Sequence, residues 1–244
     1  MTAPLLRPLS LGELLDVSFA LYRQLFASLI IVGLATGAPP LIIDVYIEQI
    51  GGPTAAPTLW FMNLLFSLVL GAIGVGASTL IVSDSYLGDR PHAGAALGRV
   101  VPFVGRIIAL TFLTGSVVFL GLLLLVVPGI ILACGLALGA TSLVLENLPG
   151  PIAAMQRSWF LTRGYRGKLF LALLVSLLLL MIPAAGLGAV SAFLGMEAFF
   201  TIISVVLGVL ISPFIYVTVT VLYYDLRVRK EGFDLEMLSE HLRG

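Results

Sequence analysis

The sequence predicts an all-α membrane protein in which six transmembrane helices alternate with three amphipathic helices on the cytoplasmic surface. Apolar residues make up 59% of the 244-residue chain and charged residues only 11%, about half the charge of an ordinary soluble domain. Long uncharged stretches recur along the chain, and basic residues cluster between alternate pairs of them. The composition therefore indicates a chain that faces lipid over most of its length.

The predicted spans follow from the uncharged stretches, because a helix needs about 20 apolar residues to cross a hydrocarbon core of about 30 Å. Two stretches, 107–145 and 169–224, are too long for one crossing. The Val-Pro-Gly sequence at 127–129 divides the first, since proline stops a helix and glycine permits a turn, and residues 194–197 divide the second. The predicted spans are residues 24–43, 57–83, 107–127, 130–145, 169–193 and 198–224.

Charge placement supports this count, because Lys and Arg collect in cytoplasmic loops near span ends. With six spans, all 13 basic residues fall on one side of the membrane. The opposite loops, around residues 44–57, Pro128 and Glu197, contain none. We therefore expect both termini to be cytoplasmic. Charged residues interrupt the first twenty positions and leave no signal-peptide pattern, so the amino terminus is expected to be retained.

A short amphipathic segment precedes each odd-numbered span, at residues 11–26, 93–106 and 152–168. Apolar residues of the first segment recur with the i, i+3, i+4, i+7 spacing of one buried helix face. We expect each segment to lie on the membrane surface as an interfacial helix. Each carries a phenylalanine followed three or four residues later by an arginine, namely Phe19 and Arg23, Phe103 and Arg106, and Phe160 and Arg163.

A single acid ends each even-numbered span, at Asp84, Glu146 and Asp225. A carboxylate at the hydrocarbon edge is costly unless it is paired. We therefore predict that these acids form structural ion pairs with arginines of the surface segments. The recurring pattern favours a threefold repeat of a two-span unit, although so weak a similarity also arises by chance. The single membrane domain, 1–244, would then contain units at 11–90, 91–150 and 151–236.

The basic residues near the span ends are candidates for contact with anionic lipid headgroups or with a partner complex. A basic residue at the cytoplasmic surface gains about 1 kcal/mol from anionic lipid. The alternative is plain anchoring, in which tyrosines and basic residues after the last span hold the helix at the interface. The candidate contact residues are Arg23, Arg99, Arg106, Arg157, Arg163, Arg166, Lys168, Arg227, Arg229 and Lys230.

No constellation in the sequence points to catalysis, a cofactor or a metal. His92 and His241 are far apart, and Asp89 to His92 resembles an ordinary turn before a helix. The sequence around Ser158 lacks the glycine-flanked elbow that a nucleophile would need. Cys134, the single cysteine, is expected to be inert packing inside an apolar run. A net charge of zero gives no indication of nucleic-acid binding.

Transport is the second hypothesis, although the predicted spans place every ionisable residue at an edge or in a loop. Asp44 and Glu48 could form a cation-attracting vestibule, or they could be water-exposed acids at a span end. Pro183 and Pro213 could open backbone sites near the midplane, or they could be simple kinks. Residues 71–77 form a small-residue run that favours close helix packing.

Four stretches together resemble the bacterial glycerophosphoryl diester phosphodiesterase membrane-domain family. They are RPLSLGELLDVSFALYRQLF, VVPGIIL, AAMQRSWFLTRG and LYYDLRVRKEGFDLE, and the resemblance covers nearly the whole chain. It implies the membrane part of that family, which in some relatives is attached to a separate soluble phosphodiesterase domain. The His-Arg-Gly opening and the metal ligands of that catalytic domain have no counterpart in this sequence, so the resemblance implies no catalytic residue here.

The sequence thus predicts a non-catalytic integral membrane accessory or assembly subunit that engages a partner complex or anionic lipids. The expected location is the bacterial cytoplasmic (inner) membrane, as a multi-pass protein. A small transporter or channel is the alternative function. The third is a membrane anchor for a separate phosphodiesterase.

Overall fold

A computed structural model describes residues 7–90, 92–194 and 197–233, without the side chains of 180, 191–192, 194, 197–209 and 211–212. Every regular element in this part of the chain is a helix, which confirms the all-α prediction for the described residues. The helices are α1 Leu11–Gln49, α2 Pro57–Tyr86, α3 Ala93–Val100, α4 Val104–Leu124, α5 Val126–Leu136, α6 Gly139–Leu145, α7 Pro151–Thr162, α8 Arg166–Leu194 and α9 Glu197–Glu231.

Five helical stretches are long and apolar enough to cross a membrane. The sixth predicted span lies in α9, which is 35 residues long. Several of its side chains are outside the described residues, so this span stays a prediction, as does the threefold repeat. The five stretches are Leu11–Gln49, Pro57–Tyr86, Ala93–Leu124, Val126–Leu145 and Arg166–Val190.

The first amphipathic segment forms the beginning of α1. It is not the separate surface helix that the sequence predicts. This helix runs unbroken for 39 residues, about 58 Å at 1.5 Å per residue. Ser10 and Glu13 form a capping box at its start, and a buried stripe then continues from Leu14 through Leu29 without interruption. Because neither glycine nor proline breaks that stripe at its junction with the span, the helix has no reason to stop there.

The other two amphipathic segments contain helices of their own. The second comprises α3 and a short 3-10 turn, Val101–Phe103, that leads directly into α4. The third contains α7, which begins with Pro151 in its first turn. Gly164, with a φ of 91°, then turns the chain toward α8.

The turn between α4 and α5 lies at Leu125, not at residues 127–129 as predicted. Leu125 is extended between the two helices, and Pro128 lies in the first turn of α5, where its missing N–H breaks no helical hydrogen bond. Gly121 and Gly129 bring the helices close together, since a Cβ on Gly121 would lie 3.1 Å from the Gly129 Cα. The predicted span 130–145 is also interrupted, because α5 ends at Leu136 and α6 starts at Gly139.

The helices pack around α1, α2 and α9. The largest fully buried side chain is Tyr223, and Leu29 and Ile81 are buried with it. The α4–α5 hairpin, in contrast, presents large apolar side chains outward, including Phe112 at 78% exposure and Leu124 at 78%. Such a surface needs lipid to cover it, because a protein in water rarely exposes so continuous an apolar face.

The hairpin packing gives a first prediction. Gly129→Ala would place its Cβ 2.8 Å from the Leu122 Cα, so the helices must separate, and we expect a loss of about 1–3 kcal/mol. Gly115→Ala is the control on α4, since a Cβ there meets nothing within 4 Å. Thermal unfolding in detergent should show a lower Tm for Gly129→Ala than for Gly115→Ala. Equal Tm values would contradict the described hairpin.

Candidate interaction surface at the basic end of the bundle

The acids predicted to form ion pairs lie at one end of the bundle, which we call the basic end. It contains the start of α1, the end of α2, the helices α3 and α7, and the end of α9. Asp84 on α2 accepts a hydrogen bond of 2.8 Å from Arg99 on α3. The Arg99 side chain is 54% exposed, so this pair contributes little free energy, but it holds α3 beside α2.

Arg157 on α7 joins two acids from different parts of the chain. Its Nε donates to both carboxylate oxygens of Glu146, at 2.8 and 2.7 Å. Its terminal nitrogens donate to Glu231 at the end of α9, one of them at 2.8 Å. Tyr223 also donates to Glu146, at 2.7 Å. These partly buried contacts connect the end of α6 to α7 and α9.

The hydrogen bonds from Arg157 lower the pKa of Glu231, against the opposing effect of burial, and Arg227 adds to the lowering. The same contacts raise the pKa of Arg157, chiefly through Glu231. Both groups therefore stay charged around neutral pH. The resulting ion-pair network is less exposed than the Asp84–Arg99 pair, so we expect it to contribute more to stability.

Asp225 on α9 has a fully buried side chain and connects three segments. It accepts hydrogen bonds from the backbone N–H of Leu9 at 2.7 Å and from Lys168 at 2.6 Å. Arg229, one turn further along α9, donates to it at 3.1 Å. Lys168 also donates to the Leu9 carbonyl. The segment before α1 is thus fixed to the start of α8 and to the last turns of α9. The sequence pattern did not reveal this contact.

For one of the three acids, the ion-pair partners in the structure differ from the predicted arginines. Asp84 and Glu146 contact arginines of the second and third amphipathic segments, but Asp225 contacts Lys168 and Arg229. Arg23, the arginine of the first segment, is exposed and has no ion-pair partner among the described residues. Asp225 contacts Leu9, which lies just before α1. Because α1 continues unbroken from there, Arg23 lies more than three helical turns beyond that contact.

Five of the ten basic candidates for lipid or partner contact form ion pairs with acids of the same chain. They are Arg99, Arg157, Lys168, Arg227 and Arg229. Arg106 donates to the Leu148 carbonyl at 2.7 Å. Arg23, Arg163, Arg166 and Lys230 have no acidic partner in the described part of the chain.

Three of those four cations lie around the end of α7, where it meets α8 and the end of α9. We call this set, Trp159, Phe160, Arg163, Arg166 and Lys230, the α7–α8 corner. The Arg166 guanidinium lies 3.7 Å from the centre of the Trp159 ring. Lys230 donates to the Phe160 carbonyl, and its ammonium lies 4.9 Å from the Phe160 ring. Burial and the nearby charge of Arg163 lower the pKa of Lys230, which places Arg163 in the same electrostatic environment.

The α7 helix is held at this position by the break between α5 and α6. Ser158 donates to the Gly135 carbonyl at 2.8 Å and accepts from the Leu138 N–H at 3.1 Å. Thr162 donates to the same carbonyl at 3.2 Å. Backbone groups left unpaired by a helix break need such partners when they are buried. Ser158, which lacks the setting of a nucleophile, therefore has a structural role.

A pocket of about 430 Å³ opens beside the Asp84–Arg99 pair, between α2, α3, α6 and α9. Tyr224 lines it and shares a hydrogen bond of 2.6 Å with Ser83. Phe233 also lines it and packs against the Tyr224 ring, with 5.8 Å between centroids. The sequence did not single out the Ser83–Tyr224 hydrogen bond, because it joins residues 141 positions apart.

A second cavity, of about 360 Å³, lies between α1, α2 and α9. Its lining includes Thr36, Gly74, Pro213 and Tyr216. These residues are several helical turns from the basic end, so the cavity lies along the middle of the helices and is separate from that surface. Pro183, the other proline predicted to mark a midplane site, is not among the lining residues.

The remaining candidates for chemistry are separate from one another. The exposed His92 has a ring nitrogen 3.1 Å from the Arg90 carbonyl oxygen, and His241 is outside the described residues. Cys134 is buried. Asp44 accepts a hydrogen bond of 2.7 Å from Asn63. In the described ranges, no group of three His, Cys, Asp or Glu side chains could hold a metal ion.

No family model matches the chain, and no solved structure matches it. The resemblance to the phosphodiesterase membrane-domain family therefore stays a prediction from sequence. The described structure defines an all-helical chain with five stretches able to cross a membrane and an ion-paired surface at one end.

The network around Arg157 gives a second prediction. Arg157→Ala leaves Glu146 and Glu231 partly buried without their shared cation, so we expect a loss of about 2–4 kcal/mol. Arg99→Ala breaks an exposed pair and should cost about 1 kcal/mol or less. Thermal unfolding of both variants in detergent checks this order, and a similar fall in Tm for both would contradict it.

The lowered pKa of Glu231 predicts a pH dependence. Because the folded-state pKa lies below the unfolded value of about 4.5, the contribution of Glu231 to stability is complete above that pH. It is lost as the pH falls through the folded-state pKa. The Tm of the wild type should therefore fall more steeply with acidification below about pH 4.5 than the Tm of Glu231→Gln. Parallel curves would show that Glu231 is not stabilised as a carboxylate.

Proposed function

We propose that this chain is a non-catalytic accessory or assembly subunit of a bacterial cytoplasmic membrane. It crosses the membrane six times with both termini in the cytoplasm, and its basic end is the cytoplasmic surface. That surface engages anionic lipids or a partner complex. The distribution of all 13 basic residues on one side of the predicted spans supports this orientation.

The α7–α8 corner is the observation that carries the proposal. Its cations have no acidic partner among the described residues, whereas most of the surrounding cations are paired. Phe160 is 52% exposed and Trp159 is 37% exposed beside those charges. Exposed aromatic and basic side chains together are typical of contact with an interface or a partner. Within the described ranges, no ion pair with an acid neutralises this group of cations.

The rigidity of α7 supports a role in contact. Arg157 fixes one face of the helix to Glu146 and Glu231, and Ser158 fixes another face to the α5–α6 break. A surface held in this way loses little conformational freedom on binding. The proposed surface is therefore ready to bind without rearrangement.

Native mass spectrometry of the full-length protein, extracted in mild detergent from its own membrane, tests this function. We expect a stoichiometric partner protein or retained anionic lipid. Arg163→Glu should reduce that retention several-fold because it reverses an exposed charge in the corner. Arg90→Glu, which reverses an exposed charge elsewhere, should not.

A species with no partner and only bulk lipid would overturn the proposal. Retention that changes equally in the Arg163→Glu and Arg90→Glu variants would show that general surface charge is responsible. Each variant should first be compared with the wild type by thermal unfolding, so that a loss of retention is not caused by misfolding.

Transport is the second candidate function, and the cavity beside Pro213 favours it. Thr36 and Tyr216 contribute hydroxyl-bearing side chains to the lining, as a pathway for a small polar solute would need. Solute uptake into proteoliposomes, reduced by Thr36→Val, would support transport over the accessory function. The third candidate, an anchor for a separate phosphodiesterase, rests on the family resemblance alone.

A further inference from the structure

We propose that the α7–α8 corner binds the phosphate group of an anionic phospholipid in the adjoining leaflet. This inference rests on the proposed function and names one ligand for its surface. Two features of the corner point to this ligand: positive charge that forms no ion pair with an acid among the described residues, and exposed aromatic side chains next to that charge.

Three cations of the corner form no ion pair with an acid among the described residues. Glu231 is the acid next to Lys230 in sequence, but it accepts hydrogen bonds from Arg157 and Arg227. The negative charge of Glu231 therefore offsets only part of the lowering of the Lys230 pKa. Arg163, Arg166 and Lys230 form no ion pair with an acid in the described ranges. A phosphate group carries the complementary charge and offers several acceptor oxygens to guanidinium and ammonium groups.

Arg166 is held in place by an aromatic contact. Its guanidinium stacks on the Trp159 ring, and its Nε is buried without a hydrogen-bond partner among the described residues. Trp159 is itself held in place, since its six-membered ring lies against Gly135, where a Cβ would come within 2.4 Å of it. The arginine is thus positioned before any ligand arrives.

The aromatic side of the corner fits the rest of a lipid molecule. Phe160 is exposed beside Lys230, and Ile152, at the start of α7, is 64% exposed. Tryptophan, phenylalanine and aliphatic side chains at this level pack against the glycerol and upper acyl regions of a bilayer. A free phosphate ion would use the cations but leave these apolar side chains uncovered. The combined surface therefore favours a phospholipid over a soluble anion.

The test uses full-length protein purified in a nonionic detergent and titrated with dioleoyl phosphatidylglycerol, with dioleoyl phosphatidylcholine as the neutral lipid. Native mass spectrometry counts the bound lipids and gives their affinities. Each basic residue near anionic lipid contributes about a 5-fold gain in binding. Arg163→Ala should therefore weaken phosphatidylglycerol binding about 5-fold, and Arg163→Ala with Lys230→Ala about 25-fold. Binding of phosphatidylcholine should not change.

Two control variants separate a defined site from general surface charge. Arg90→Ala removes an exposed cation outside the corner and should leave phosphatidylglycerol binding unchanged. Arg163→Lys keeps the charge and should retain most of the binding. The Tm of each variant without added lipid checks that it is folded, and Arg163→Ala should pass this check because the exposed Arg163 side chain has no hydrogen bond or ion pair within the described structure.

Three outcomes would overturn the inference. The wild type could show no preference for phosphatidylglycerol, or Arg90→Ala could weaken binding as much as Arg163→Ala does. Millimolar inorganic phosphate could also displace the lipid completely, which would indicate a site for a soluble anion. If a stoichiometric protein partner is retained in any of these cases, the proposed accessory function stands without its lipid site. Failure of the lipid inference is thus distinguishable from failure of the proposed function.

Discussion

The bridge from Arg157 to Glu146 and Glu231 is the interaction on which the basic end of the structure depends. A carboxylate at the edge of a hydrocarbon region is costly unless a cation balances it. The Arg157 guanidinium bridges both carboxylates here, Arg227 supplies a second cation to Glu231, and each acid ends a different helix. The contact that lowers the free-energy cost of placing these carboxylates there therefore also fixes α7 against both α6 and α9. Asp225 has a similar role for the segment before α1.

The fixed α7 helix connects the architecture to the proposed surface. Its inner face supplies Arg157 to the ion-pair network and Ser158 to the unpaired backbone at the α5–α6 break. Its outer face carries Trp159 and Phe160, and the turn that follows carries Arg163. Because the inner contacts are satisfied within the chain, the exposed Phe160 and Arg163 side chains are available to contact another molecule. The helix thus separates side chains that hold the fold from side chains available for binding.

Sequence patterns predicted the ion-paired acids but could not assign every partner. Asp84 and Glu146 contact arginines of the expected segments because those helices lie close to the acids along the chain. Asp225 instead contacts Leu9, which lies 216 positions away in sequence. The Val-Pro-Gly sequence also misplaced the α4–α5 turn, because Pro128 is as compatible with the first turn of a helix as with its end.

The sequence by itself determined the helical class and the clustering of charge at the ends of the predicted spans, and it predicted six spans, of which the structure supports five stretches able to cross a membrane. These properties depend on local composition and on the length needed to span a hydrocarbon layer. Only the tertiary structure decided which of the ten basic candidates are used within the chain and which are not. Whether an acid neutralises a basic residue depends on distances of about 3 Å between side chains that are remote in sequence. The spacing of residues along the chain does not encode those distances. The α7–α8 corner was identified only by separating the basic residues that form ion pairs from those that do not among the described residues.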